Sequence, residues 1–421
     1  MTTLVATDVP GSGVAPPEPG LTPEEVVRRA ERLASGLVAR QAETEQRTYY
    51  ATDIHEEFAR AGLYRILVPR RYGGYEFGAE TFLRVTMALS RGCPSTGWMY
   101  CLGAAHSLAV ASLFEEPTQA ELFADGDFIS PATITPAGTA RRAPDGGWII
   151  DGTFPYCSGA PYATHFIGHT VIEDEESGEG AEPRLLLFVA PRSEWTMLDD
   201  WGRQLGLKGS GSHSVSFRGG RVPAHYAIEA THLSEVDVSA GTPGRALHGN
   251  GQYGGGPLSF MLLESAAVAV GMAQGALDAY EELMRSRTTI FTGTSRAEDP
   301  DYQYWYGHAS GMIATAEAAL LHAVRQWEEL CARAPEDFTR EEDLRLATIC
   351  REVLKLAWGA VERHLFPTAG SSAVRSGERI ERIWRDMSTQ HSHAGIGVLL
   401  QSVATREYAK VRFGVTEGSP S

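Results

Sequence analysis

The residues with the greatest chemical reach in this chain are three histidines and one serine. His106 stands inside YCLGAAHSLAVASLF, an apolar stretch with helical spacing. A lone histidine there is usually a core residue satisfied by a hydrogen bond; the functional reading is proton transfer, with an ordinary pKa of about 6.5. Ser158 lies in the turn string Tyr156-Cys157-Ser158-Gly159. Its hydroxyl either bonds its own backbone or faces a ligand. His391 and His393 flank Ser392. Positions two apart on a helix face different directions and no third ligand lies at motif spacing, so no metal is expected. No GxSxG elbow surrounds Ser158, which argues against a Ser-His-Asp hydrolase, and Cys157 carries no nucleophile signature. Gly249–Gly254 reads GNGQYG and fits GxGxxG. No strand precedes it and no βαβ unit follows, so it reads as an entry loop to a helix, not a dinucleotide site.

Composition narrows the setting. The chain has 421 residues, 43% hydrophobic and 21% charged, ordinary values for a globular protein of two or three domains. Its net charge of −16, without a basic stripe, disfavours nucleic acid and anionic membrane surfaces as partners. Five cysteines, an odd number without CxxC spacing, fit a reducing cytoplasm better than a disulfide framework or a zinc ribbon. The first residues lack the basic and apolar regions of a signal peptide. The most apolar helical stretch, from Leu258, is interrupted by Glu264 and Asp278, so no membrane span is expected.

The elements that must position these residues fall into a clear order. Residues 1–20, rich in Pro, Gly and Thr, read as a flexible tail. Thr22-Pro23-Glu24-Glu25 is a helix start, with Thr as N-cap and Pro in the first turn. Apolar spacing of three and four then predicts an N-terminal helical domain over 21–122. Residues 123–235 hold the β-rich runs FISPATI, GWIIDGTF, HFIGHTVI, RLLLFVA and HSVSFRGGRV, separated by turn signals. They predict a small antiparallel β domain, with the acidic stretch Glu173–Glu182 as a hairpin loop. Residues 236–421 predict a C-terminal helical bundle, with helices over about 258–290, 303–333, 340–366 and 372–411. Ala266, Ala267, Ala269, Gly271 and Ala273 are small enough for close helix packing.

This order of helices, β domain and four-helix bundle resembles the acyl-CoA dehydrogenase fold, an α+β class that is mostly α. PAGTARRAPDGGWIIDGTFPYCSGAPYATHF is similar to the first half of that fold's β domain, GLKGSGSHSVSFRGGRVP to the second, and RIWRDMSTQHSHAG to its late RD-containing helix. The resemblance covers nearly the whole chain. Acyl-CoA dehydrogenases abstract a proton with a glutamate after the RD segment, where this chain has Ser388 to Gly395 without a carboxylate; some members place that glutamate on an earlier helix. The Thr-Glu-Pro string of the family is also changed, to Ile134-Thr135-Pro136. The chain more closely resembles the group D two-component flavin-dependent monooxygenases of the same fold. That branch includes the oxygenase of 4-hydroxyphenylacetate 3-hydroxylase, steroid-phenol hydroxylases and dibenzothiophene monooxygenase. His106 after the small-residue turn Cys93–Trp98, the aromatic-x-Ser-Gly string at Tyr156, and Arg385-Asp386 followed by His393 carry this resemblance.

The resemblance implies an oxygenase component. It would receive reduced FAD or FMN from a separate NAD(P)H:flavin reductase, add O2 to form a C4a-hydroperoxyflavin, and hydroxylate a small aromatic, phenolic molecule. N- or S-oxygenation by the same intermediate, and acyl-CoA dehydrogenase-type chemistry, are the alternatives. It implies Ser158 at the flavin N5, His393 on the flavin side with His391 in reserve, and His106 for substrate orientation or deprotonation. Tyr156 would form a flavin wall. Thr133, Thr139, Ser212 and the loop Gly209–His213 would meet the flavin phosphate. In this fold a neighbouring subunit of a homotetramer contributes an arginine, here Arg285 or, preferably, Arg287. Trp98, Tyr100, Tyr302, Tyr304, Trp305 and Tyr306 are candidates for an aromatic cavity, with plain core packing the commoner explanation.

Overall fold

The computed structural model describes residues 16–173 and 183–415. The acidic run expected as a hairpin loop lies almost wholly outside the described residues. The chain begins with α1 (Pro23–Arg47), capped as the sequence predicts: Thr22 Oγ1 accepts the Glu25 amide at 3.2 Å. There follow α2 (Thr52–Arg60), α3 (Ala79–Gly92), α4 (Pro94–Ala104), α5 (His106–Leu113) and α6 (Glu116–Leu122). Helices α4 and α5 are apolar all round and almost entirely buried, as helices at the centre of a protein must be.

Seven strands form one sheet in the order β5-β6-β2-β1-β3-β4-β7: β1 (Thr139–Arg142), β2 (Trp148–Phe154), β3 (His165–Ile172), β4 (Leu185–Pro191), β5 (Thr196–Met197), β6 (Val215–Val222) and β7 (Ala227–Glu229). Period-two alternation brings Phe154, Phe166, Phe188 and Phe217 onto one face, where their rings pack at 5.1–5.9 Å. The expected antiparallel sheet needs correction. β1 pairs antiparallel with β2 but parallel with β3, Thr139 opposite Val171, so the sheet is mixed. After β2 the chain crosses through the 155–164 turn and returns in the direction of β1. FISPATI forms no strand; it contributes one bridge, Ala132 to Ile167, and otherwise serves as a loop.

The bundle comprises α7 (Pro243–His248), α8 (Pro257–Ser286), α9 (Pro300–Ala332), α10 (Arg340–Ala360), α11 (Arg379–His391) and α12 (Ala404–Phe413). The stretch predicted as one helix over 372–411 is in fact broken at Ser392–His393, and Gly395–Val403 is wound as a π-helix. Helix α8 is long and apolar enough by composition to cross a membrane, yet 78% of its most apolar window is buried against protein. Its small residues let it lie on α3: a Cβ at Gly271 would sit 2.3 Å from the Met87 carbonyl oxygen, and one at Gly275 2.6 Å from that of Arg91. Gly271→Ala is therefore expected to force the helices apart and destabilise the fold by about 1–3 kcal/mol. An unchanged denaturant midpoint would show that the interface yields freely.

Candidate active site

Helix α4 is the scaffold on which the site is assembled. Its Trp98 donates the indole N–H to Ser158 Oγ at 2.9 Å. The turn that carries Ser158 can approach because Gly159, at φ +98°, presents no side chain; a Cβ there would stand 3.3 Å from the Gly103 Cα. Gly103 in turn accepts the Ser130 amide at 2.8 Å. The segments 129–133 and 156–159 thus meet at one end of α4. Behind Ser158 runs a file of hydroxyls. Ser158 Oγ lies 2.8 Å from Ser212 Oγ, Ser212 Oγ lies 2.7 Å from Ser210 Oγ, and Ser210 Oγ donates to the Leu207 carbonyl at 2.7 Å. All three serines are buried.

The histidines differ in tautomer as well as position. His393, in the break after α11, packs edge-on against Trp98 with ring centroids 5.6 Å apart. The residue is exposed, and desolvation lowers its pKa. Its Nδ1 accepts the Gly395 amide at 3.2 Å, which leaves the proton on Nε2 as a donor. His106 is buried, with its pKa lowered by desolvation. It has the Ser130 carbonyl 2.7 Å from Nδ1, so Nδ1 carries a proton. His391 stacks on Trp358 at 5.6 Å and does not join the Trp98–Ser158 group. His391 is the last residue of α11 and His393 lies beyond the break, and the two imidazoles meet different partners.

Tyr156 is 63% exposed, held at φ +62° and set edge-on to Trp201 at 5.9 Å. It therefore offers an open aromatic face. Thr133 is buried beside Ile167 of β3, and its Oγ1 has no hydrogen-bond partner. Thr139 opens β1 opposite Val171, about 13 Å farther along β3. Arg287 ends α8, bonded through Nη1 to Ser372 Oγ at 3.1 Å, and Arg285 pairs with Glu281. Arg287 lies about 33 Å along α8 from Ser265, whose carbonyl accepts from Gln390 near the site. Within one chain it cannot reach Ser158.

Other candidates separate from the site. Cys157 is a buried thiol whose pKa is driven up by desolvation. GNGQYG follows a short helix, not a strand. Tyr302 packs on Trp305 and under Arg296, Tyr304 is exposed, and Tyr306 bonds Glu281; these belong to the far end of the bundle. Tyr100 is spent in a core cluster with Tyr64 and Phe82. On an earlier helix, Glu264 of α8 is buried and its Oε2 has no hydrogen-bond partner; burial pushes its pKa well up from the ordinary carboxylate range.

Sequence reasoning missed Leu207, and it named Asp386 only within the Arg385-Asp386 string and Ser210 only within the loop Gly209–His213, without a role of their own. Buried Asp386 accepts the Leu207 amide at 2.5 Å and the Ser95 hydroxyl at 3.2 Å. Leu207 is held in the left-handed region at φ +51°. The alternating serines of GSGSHS were the available signal. Leu205 and Lys208, flanking Leu207, line a separate open cleft of about 690 Å³. Its charges are paired with one another, as in Glu45–Arg385 at 2.8 Å and Arg385–Glu381 at 2.6 Å.

An open aromatic face, an orphaned buried hydroxyl and a serine with spare acceptor capacity suit a flat, polar-edged ring system. The acyl-CoA dehydrogenase N-terminal domain family matches residues 22–120 and its C-terminal domain family matches residues 263–397, together more than half of the chain. The chain belongs to the acyl-CoA dehydrogenase family. Within it, the chain stands with the oxygenase components of flavin-dependent monooxygenases. It is 29% identical to the flavin-dependent monooxygenase oxygenase subunit HsaA of Mycobacterium tuberculosis, covering 79% of this chain and 82% of the relative. It is 25% identical to the p-hydroxyphenylacetate 3-hydroxylase oxygenase component of Acinetobacter baumannii, covering 79% and 76%. The structure of XiaF from Streptomyces sp. in complex with FADH2 and glycerol superposes with a TM-score of 0.82 at 24% identity, covering 95% and 97%.

Burial raises the Asp386 carboxyl to about 7, against the Leu207 amide and Arg385, which lower it. An ordinary aspartate titrates near 3.9. Between these values the folded chain holds a proton that the unfolded chain has lost, so this residue's contribution to stability declines as pH rises through the window. Asp386→Asn keeps an acceptor for Leu207. Its denaturant midpoint is expected to fall less between pH 5 and pH 7 than that of the wild type, and equal slopes would contradict the assignment.

Proposed function

We propose that this chain is the oxygenase component of a two-component system that takes reduced FAD or FMN from a separate NAD(P)H:flavin reductase and, with O2, hydroxylates a small phenolic molecule. The observation that carries this reading is the gathering around α4 of Ser158 and His393, both on Trp98, and of His106, tied to α4 through Ser130 and Gly103. Bound reduced flavin supplies the electrons that activate dioxygen for insertion into the substrate. Tyr156 gives its ring a flat wall. Thr133, with its unpartnered hydroxyl, meets the polar edge, and Thr139 lies along β3 toward the phosphate.

The histidines divide the remaining work. His106 presents Nε2 as a base, fixed by the Ser130 carbonyl on Nδ1. It takes the phenolic proton and so makes the ring more electron-rich. His393 presents Nε2–H, fixed by the Gly395 amide, and donates to oxygen on the flavin side. Ser158 holds the flavin central ring, and burial of the serine file excludes the water that would carry protons away. Arg287 serves a neighbouring copy of the chain in a homotetramer. The adjoining Ile290 and Phe291, 92% and 99% exposed, offer apolar surface for such contact.

Two variants test the assignment. With excess reductase, His106→Ala is expected to lose about 10²–10⁴-fold in phenol hydroxylation while still consuming reduced flavin and O2, now released as hydrogen peroxide. Retention of normal product yield would remove His106 from the substrate side. Ser158→Ala is expected to raise the share of O2 returned as hydrogen peroxide; unchanged coupling would dismiss its role at the ring. Anaerobic bleaching of bound oxidised flavin by an acyl-CoA would instead support dehydrogenase chemistry.

A further inference from the structure

The serine file behind Ser158 has a direction, and the direction decides what Ser158 can offer a ligand. A serine hydroxyl has one proton and two acceptor lone pairs. The Leu207 carbonyl can only accept, so the contact of 2.7 Å consumes the Ser210 proton. Ser210 must then accept from Ser212 across their contact of 2.7 Å, and Ser212, its proton spent, must accept from Ser158 across 2.8 Å. The proton of Ser158 is thereby committed to the interior. One of its lone pairs takes the Trp98 indole N–H at 2.9 Å. A single lone pair remains, and toward a ligand Ser158 is an acceptor only.

The terminus of the file is fixed as firmly as its members. Leu207 is pinned at φ +51° by four bonds. Its amide donates to Asp386 at 2.5 Å, and its carbonyl takes the Trp201 indole N–H at 2.9 Å and the Ser210 amide at 3.1 Å besides the Ser210 hydroxyl. Reversal of the file would leave that carbonyl without the hydroxyl bond and set two oxygens at 2.7 Å with no proton between them, which is repulsive.

We infer that Ser210, Ser212 and the Leu207 carbonyl are positioning groups that select the reduced over the oxidised state of the flavin. This rests on the reading that Ser158 faces the flavin central ring. Dihydroflavin carries an N–H at N5, which the spare lone pair of Ser158 accepts. In oxidised flavin N5 is a bare acceptor, and two acceptors face each other. A component that relies on a separate reductase gains from such a filter, because spent flavin is not retained.

The test is equilibrium binding, without turnover. Oxidised FMN and FAD are titrated by flavin fluorescence, and the reduced forms anaerobically, into wild type, Ser212→Ala, Ser210→Ala, Ser212→Thr and Ser214→Ala. The last alters the same loop outside the file. In Ser212→Ala the proton of Ser158 is released toward the ligand. The ratio of oxidised to reduced Kd is expected to fall about tenfold, the effect of one well-placed hydrogen bond, chiefly through tighter binding of oxidised flavin. Ser210→Ala should move the ratio the same way. Ser212→Thr, which keeps the hydroxyl, should restore the wild-type value, and Ser214→Ala should leave it unmoved. A ratio unchanged in both Ser212→Ala and Ser210→Ala, with reduced flavin still bound, overturns the inference and leaves the reading of the site intact. Failure of the wild type to bind reduced flavin overturns the reading itself. Should Ser212→Ala not fold, Ser210→Ala decides alone.

Discussion

The bond from the Trp98 indole to Ser158 Oγ joins two parts of the chain that are otherwise built by different rules. Trp98 belongs to a helix buried on all sides, and Ser158 to a turn after the second strand. An indole N–H buried without a partner is costly, so the tryptophan needs the serine as much as the serine needs a fixed orientation. The approach depends on Gly159, whose missing side chain lets the turn close on the helix backbone at Met99 and Gly103. Around this joint stand the loop that holds His106 and the helix break that holds His393.

Both loops at the site contain a non-glycine residue in the left-handed region, Tyr156 at φ +62° and Leu207 at φ +51°. Such conformations cost about 1–3 kcal/mol each and persist only where the surroundings over-determine them. Leu207 is held by Asp386, Trp201 and Ser210; the Tyr156 turn is held by the Cys157 amide on the His213 carbonyl at 3.2 Å. The late helix α11 thus does more than fill the bundle. Its Asp386 reaches across to the β-rich segment and sets a carbonyl that, two hydroxyls later, governs Ser158.

Electrostatics follow from burial more than from charge. Desolvation lowers the pKa of both site histidines. What distinguishes them is the backbone group each meets: a carbonyl on His106 and an amide on His393. One residue type therefore yields a base at one point and a donor at another. The strong ion pairs lie elsewhere, in the polar cleft around Glu45 and Arg385.

The division between sequence and structure has a physical reason. Local rules sufficed for the Thr22 cap, for β3 at its predicted residues and for the long helices α8 to α10, because capping, alternation and helical spacing act within a few residues. The small residues of α8 likewise announced close packing. Strand pairing is non-local, so the parallel neighbour of β1 and the loop at FISPATI emerged only when the sheet was assembled. The break at His393 separates it from His391 and turns it to Trp98, and no periodicity encodes that. The family resemblance proposed Ser158 and Ser212. Their hydroxyl direction, the tautomers of His106 and His393, and the proton on Asp386 depend on neighbours up to 291 residues away in the chain, and these only the tertiary structure supplies.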